Sequence, residues 1–151
     1  MRSHKIVIAL AAVLSSCGSP SDPADDLPAP DVVVGCYRVS LGKWSGNKTS
    51  ADPPSLIVFL DSLGTNLLEK GRTLARAYPS SASFPFEMGW WQRPDHDRIE
   101  VVFTDGYVGT RLHVTWSAGD QSWKGLADAY TDQSPPIQAT ATVALTRQEC
   151  Q

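Results

Sequence analysis

Between Ile99 and Ala129 two turn signals cut a run of alternating residues into three segments whose apolar faces match only if the segments pair as antiparallel strands. Asp105-Gly106 is a two-residue hairpin signal. It places Thr104 opposite Tyr107 and Glu100 opposite Arg111, and it sets Ile99, Val101 and Phe103 on one face with Val108, Thr110, Leu112, Val114 and Trp116. Gly119-Asp120 suits a second hairpin with glycine leading. That turn pairs Trp116 with Trp123 and extends the same face through Gly125, Ala127 and Ala129. Of all these inward positions only Thr110 is a polar residue. The opposite face holds Glu100, Arg111 and Asp128, an arginine flanked by two carboxylates, as expected of a solvated surface that marks register.

The rest of the chain continues the pattern. Val33 to Leu41 alternates, a loop rich in Gly, Asn, Ser and Pro follows as far as Pro54, and Ser55 to Asp61 is apolar on both faces. Asn66 to Tyr78 is ambiguous: Leu67, Leu74 and Tyr78 have helical spacing, whereas Gly71 weakens a helix and Thr73 to Tyr78 suits a strand. Phe84, Phe86, Met88 and Trp90 alternate, and so do Ile137, Ala139, Ala141, Val143 and Leu145. Seven or eight strands with one apolar face must bury it by closing or by packing two sheets. Few residues are available to form covering helices, so the chain is expected to be all-β, a small antiparallel meander closed into a barrel.

The first 31 residues differ in kind. Met1 to Ser16 has Arg2 and Lys5, then the apolar run Ile6 to Leu14, then Ser15 and Ser16, the three parts of an export signal. The run is too short to span a bilayer, which needs about 20 apolar residues. Leu14-Ser15-Ser16-Cys17 resembles the lipobox of bacterial lipoproteins. That resemblance implies cleavage before Cys17, acylation of its thiol, a membrane as partner through the lipid, and residence in the cell envelope. Gly18 lacks the aspartate that the family associates with inner-membrane retention, which implies the outer membrane in a cell that has two. Residues 18–31 are rich in proline and carboxylate and have little to bury, so 17–31 reads as lipidated cysteine and disordered tether, ahead of a domain at 32–151.

Charge narrows the partners. Without Arg2 and Lys5 the 13 basic residues fall to 11 against 16 acidic, and four of those acids lie in the tether. The domain is therefore almost neutral and has no basic patch for nucleic acid. With Cys17 assigned to lipid, Cys36 and Cys150 remain at the two ends of the domain, in a compartment where disulfides persist. They are expected to pair, with two buried free thiols as the alternative.

Gly35-Cys36-Tyr37 lies where lipocalins carry Gly-x-Trp, and Arg147 lies where they place a late arginine across it. The turn Thr104-Asp105-Gly106-Tyr107 approximates that family's Thr-Asp-Tyr. The domain also resembles small uncharacterised envelope lipoproteins that begin Gly-Cys-Tyr and end in cysteine. These resemblances imply a barrel and no particular activity.

Catalytic and metal motifs are sparse. Asp95-His96-Asp97 has ligand-type residues, but consecutive strand residues diverge and Pro94 to Asp97 reads as a turn. His113 stands alone on the outer face between Arg98 and Leu126. No nucleophile elbow, His-Glu-x-x-His or phosphate loop occurs. We therefore expect neither an enzyme nor a metal or other cofactor. The aromatic residues Phe84, Phe86, Trp90, Phe103, Trp116 and Trp123 are placed on inner faces beside the small residues Gly125, Ala127, Ala129, Ala139 and Ala141. Large beside small means either interdigitated packing or a pocket. A barrel binding a small apolar or amphipathic molecule is the first expectation. An envelope module acting through its outer surface is the second.

Overall fold

The structure is a computed structural model that describes residues 28–79, 88–133 and 137–150. The strands are β1 (Gly35–Leu41), β2 (Ser45–Gly46), β3 (Leu56–Leu63), β4 (Thr73–Ala77), β5 (Met88–Asp95), β6 (Arg98–Thr104), β7 (Val108–Ser117), β8 (Ser122–Thr131) and β9 (Ile137–Gln148). All pair antiparallel in the order β1-β3-β4-β5-β6-β7-β8-β9, and β9 returns to β1 through Cys36↔Gln148 to Leu41↔Val143. The result is a closed eight-stranded meander barrel. The extra strand, β2, was not expected; it adds Ser45 and Gly46 to β9 at Thr140 and Ala139. Closure removes the sheet edges that an open meander would expose.

Of the two central hairpins, one has the expected register and one is displaced. β7 and β8 pair as anticipated, Trp116↔Trp123 and Arg111↔Asp128. The turn differs in detail: Gln121 N–H donates to Ala118 O, and Gln121, not Gly119, takes the left-handed conformation. β6 and β7 are shifted by two residues, so Thr104 faces Gly109 and Glu100 faces His113. Asp105 is the cause. Its Oδ1 accepts the N–H groups of both Tyr107 and Val108, and Thr104 Oγ donates to Val108 O, which holds Val108 out of the pairing. A two-residue shift preserves the faces. Arg111 therefore still reaches Glu100, now diagonally, with Nε 3.4 Å from Oε1, while His113 Nε2 lies 3.4 Å from Asp128 Oδ2.

The ambiguous stretch contains one helical turn and a strand. Asn66 Oδ1 caps the N–H groups of Leu68 and Glu69, and Lys70 N–H returns to Asn66 O. Gly71 then adopts φ +78°, which stops the turn, and β4 begins at Thr73.

The interior holds Tyr37, Ile57, Phe59, Ala75, Trp91, Ile99, Val101, Phe103, Leu112, Val114, Trp123, Ala127, Val143 and Leu145, all buried. Two segments cover the barrel ends. At the end where β1 begins, residues 28–34 form an arm that places Ala29 and Val33 in the core. Ala29, within the segment expected to be tether, packs on that core. Proline and alanine sufficed to pack because Arg93 and Arg147 hold the arm's carbonyls. At the opposite end the loop after β2 buries Ser50 and Pro53 and packs Ala51 on the core. Cys36 is joined to Cys150, with Cα atoms 5.4 Å apart across 114 residues.

Candidate functional site

Of the eight residues expected to line a ligand space, the six described ones do not share one lining. Trp116 and Trp123 meet edge to face, ring centroids 5.2 Å apart, near the arm-covered end. Phe103 and Ala127 belong to the packed core, and Ala129 is fully buried opposite Thr110. Phe84 and Phe86 lie outside the described residues, as do Cys17 and the signal.

Trp90 is the correction. β5 pairs with β6 as Trp91↔Val101 and Trp90↔Val102, so Trp91 points inward and Trp90 outward. Trp91 stacks on Phe59 at 5.4 Å and donates its indole N–H to Leu60 O at 2.9 Å. Trp90 instead lies under the Arg72 guanidinium, 4.1 Å from its ring centroid. Alternation alone could not decide between adjacent tryptophans, because either phase buries one of them.

At the arm-covered end a recess of about 160 Å³ is lined by Pro30, Tyr37, Trp116, Gln121, Trp123 and Arg147. Each wall has a local reason. Tyr37 faces inward on β1 and packs tilted against Phe59, ring centroids 4.9 Å apart, and its hydroxyl donates to Val33 O at 2.7 Å. Burial pushes the phenol above its ordinary pKa; Arg147 most strongly, then the Trp123 indole and Arg93, act against that rise. Arg147 stands opposite Tyr37 across the β1–β9 seam, the juxtaposition that the lipocalin resemblance implied. Its Nη1 donates to Val32 O at 3.2 Å and Nη2 to Val34 O at 3.1 Å. Arg93 comes from β5, donates to His96 O and Asp31 O, and lies 6.0 Å from the Trp123 ring centroid. The indole N–H of Trp116 is buried without an acceptor among the described residues. Sequence reasoning placed both tryptophans on the inner face and Arg147 by resemblance. It missed Pro30, because the arm's packing depends on carbonyl acceptors that every residue has.

The other candidates stay apart. His96-Asp97 forms the β5–β6 turn, and among the described residues no three His, Cys, Asp or Glu side chains group as a metal site. His113 is exposed beside Asp128. Thr110, fully buried, donates to Ala51 O at 3.0 Å and so fastens the loop that covers the far end.

The chain matches no family model, no curated protein and no solved structure, so its likeness to known proteins rests on the closed meander architecture alone.

Proposed function

We propose that this is a binding protein rather than an enzyme, an envelope-tethered barrel that takes a small apolar or amphipathic molecule at its arm-covered end. The observation that carries the reading is the recess walled by Tyr37, Trp116, Trp123 and Arg147. Apolar walls with a few polar groups are the usual character of ligand sites. Its size, about 160 Å³, suits a single ring or short chain, since an engineered apolar cavity of about 150 Å³ holds benzene. Envelope placement rests on Leu14-Ser15-Ser16-Cys17 in the sequence.

Native mass spectrometry of the protein from its own host tests the reading. A small-molecule adduct is expected, lost on denaturation and absent from Trp116→Ala. A bare mass from host material, together with no response of either tryptophan to small aromatic probes, would overturn it.

One observation favours the second reading, an interaction module. Leu67 is 90% exposed and Tyr107 70%. A Cβ on Gly106 would lie 3.5 Å from Leu68 Cδ1, so the Asp105-Gly106-Tyr107 turn and the loop after β3 adjoin. Exposed apolar side chains from neighbouring loops suit a protein contact. Loss of a co-purifying protein from Leu67→Ser and Tyr107→Ser variants, with the recess unaffected, is the result this alternative requires.

A further inference from the structure

The charges around the recess identify the kind of molecule it takes. Two guanidiniums, Arg147 in its wall and Arg93 over Trp123, stand at this end of the barrel. Neither lies within ion-pair distance of a carboxylate among the described residues. Of the acids nearby in the chain, Asp95 lies 3.7 Å from Arg98, Asp120 binds Lys124 and Ser117, and Asp31 faces His96 at 4.0 Å, while Asp97 and Glu149 form no ion pair with either guanidinium among the described residues. Arg93 and Arg147 give their hydrogen bonds to backbone carbonyls. A carbonyl satisfies an N–H but leaves the positive charge uncompensated. Arg147 uses Nη1 and Nη2 in this way, and among the described residues no acceptor takes its Nε–H.

Resting on the ligand-binding reading above, we infer that the recess selects a small aromatic monoanion, a ring bearing one carboxylate. The ring would pack against the part-exposed Trp116, over the buried Tyr37 and Trp123, with the carboxylate at the mouth beside Arg147. Three properties support this class. The volume admits about one ring. The lining includes three aromatic side chains, Trp116 part-exposed and Tyr37 and Trp123 buried behind it, and aromatic rings favour offset or edge contact with another ring. Among the described residues of the lining the one charged side chain is the cation Arg147, and a guanidinium hydrogen-bonds a carboxylate more strongly than it does a neutral oxygen. A dianion or a long acyl chain fits less well, because a single guanidinium lines the recess and the volume is below that of ordinary ligand pockets, roughly 300–1,000 Å³.

The test uses the unaltered protein, so that it does not depend on a variant folding. Benzoate, its neutral isostere benzamide, and toluene are titrated at pH 7 and constant ionic strength while the indole N–H resonances of Trp116 and Trp123 are followed by NMR. Benzoate is expected to shift both resonances saturably, with a Kd at least tenfold below that of benzamide. Added salt should weaken benzoate and leave benzamide unchanged. Arg93→Gln, which leaves Arg147 in place to brace the arm, should narrow the ratio. If benzamide or toluene binds as tightly as benzoate, the anion preference is wrong and the ligand-binding reading survives. If no probe moves either resonance, the recess is not a ligand site and both proposals fall.

Discussion

Thr110, the one polar residue on the inner face of β7, donates its hydroxyl to the carbonyl of Ala51 at 3.0 Å and so ties the loop after β2 into the end of the barrel. An inward threonine that looks like an interruption of an apolar face is thereby the fastening of a cover. The loop is also braced from within: Trp44 Nε1 donates to Asp52 Oδ1 at 2.8 Å, and Lys48 Nζ sits 2.9 Å from the same oxygen. Thr110→Val keeps the shape and removes the donor. It should cost about 1–2 kcal/mol in denaturant unfolding, since the Ala51 carbonyl loses its partner. Amide exchange should rise at residues 47–54 and not in β7.

The Asp105 turn carries a pH dependence. Hydrogen bonds from Val108 N–H and then Tyr107 N–H hold its carboxyl below the usual range. A depressed folded pKa stabilises above the unfolded value and is lost as pH falls through the folded one. Stability should therefore drop as the solution is acidified below about pH 4. Asp105→Asn, uncharged throughout, should flatten that part of the acid limb in thermal melts recorded from pH 7 to pH 2. An unchanged limb would show that the turn contributes nothing through its charge.

Joining Cys36 to Cys150 closes almost the whole domain into one loop. The chain-entropy account gives roughly 4–5 kcal/mol for loops of this size. Reduction should lower the unfolding midpoint strongly, and non-reducing peptide mapping should recover the pair. Ready alkylation of both thiols in the native, unreduced protein would contradict the pairing.

Ala127 is fully buried, with Leu112 and Ala141 as its cross-strand neighbours. Ala127→Leu should destabilise by about 1–3 kcal/mol, because a packed interior has no room for added methylenes without displacing neighbours from their rotamers. A melting temperature equal to that of the parent would reveal spare volume inside the barrel, and the ligand space would then extend beyond the arm-side recess.

Anchoring has its own test. Cys17→Ala should move the protein from the membrane fraction to the soluble fraction, since a signal of this length cannot itself span the bilayer. Continued sedimentation with membranes would remove the lipid from the account.

What the sequence determined was the face of each residue wherever a strong turn set the phase. Alternation placed Ile99, Val101, Phe103, Leu112, Val114, Trp123 and Ala127 inside, and all are. The two cysteines were legible as a pair from their number and position. One matter was decided by a local side chain and two by tertiary structure. The β6–β7 register moved by two residues because the Asp105 side chain competes for two backbone N–H groups, and a shift of two leaves no trace in a period of two. The choice of Trp91 over Trp90 as the inward residue came from packing, Phe59 receiving one ring and Arg72 the other. The candidate site depends most on what the sequence does not display. Its walls come from the arm and from strands β1, β7, β8 and β9, and the arm is held by Tyr37, Arg93 and Arg147 through backbone carbonyls. Carbonyls are common to all residues, so no pattern of side chains announces which of them an arginine far along the chain will bind.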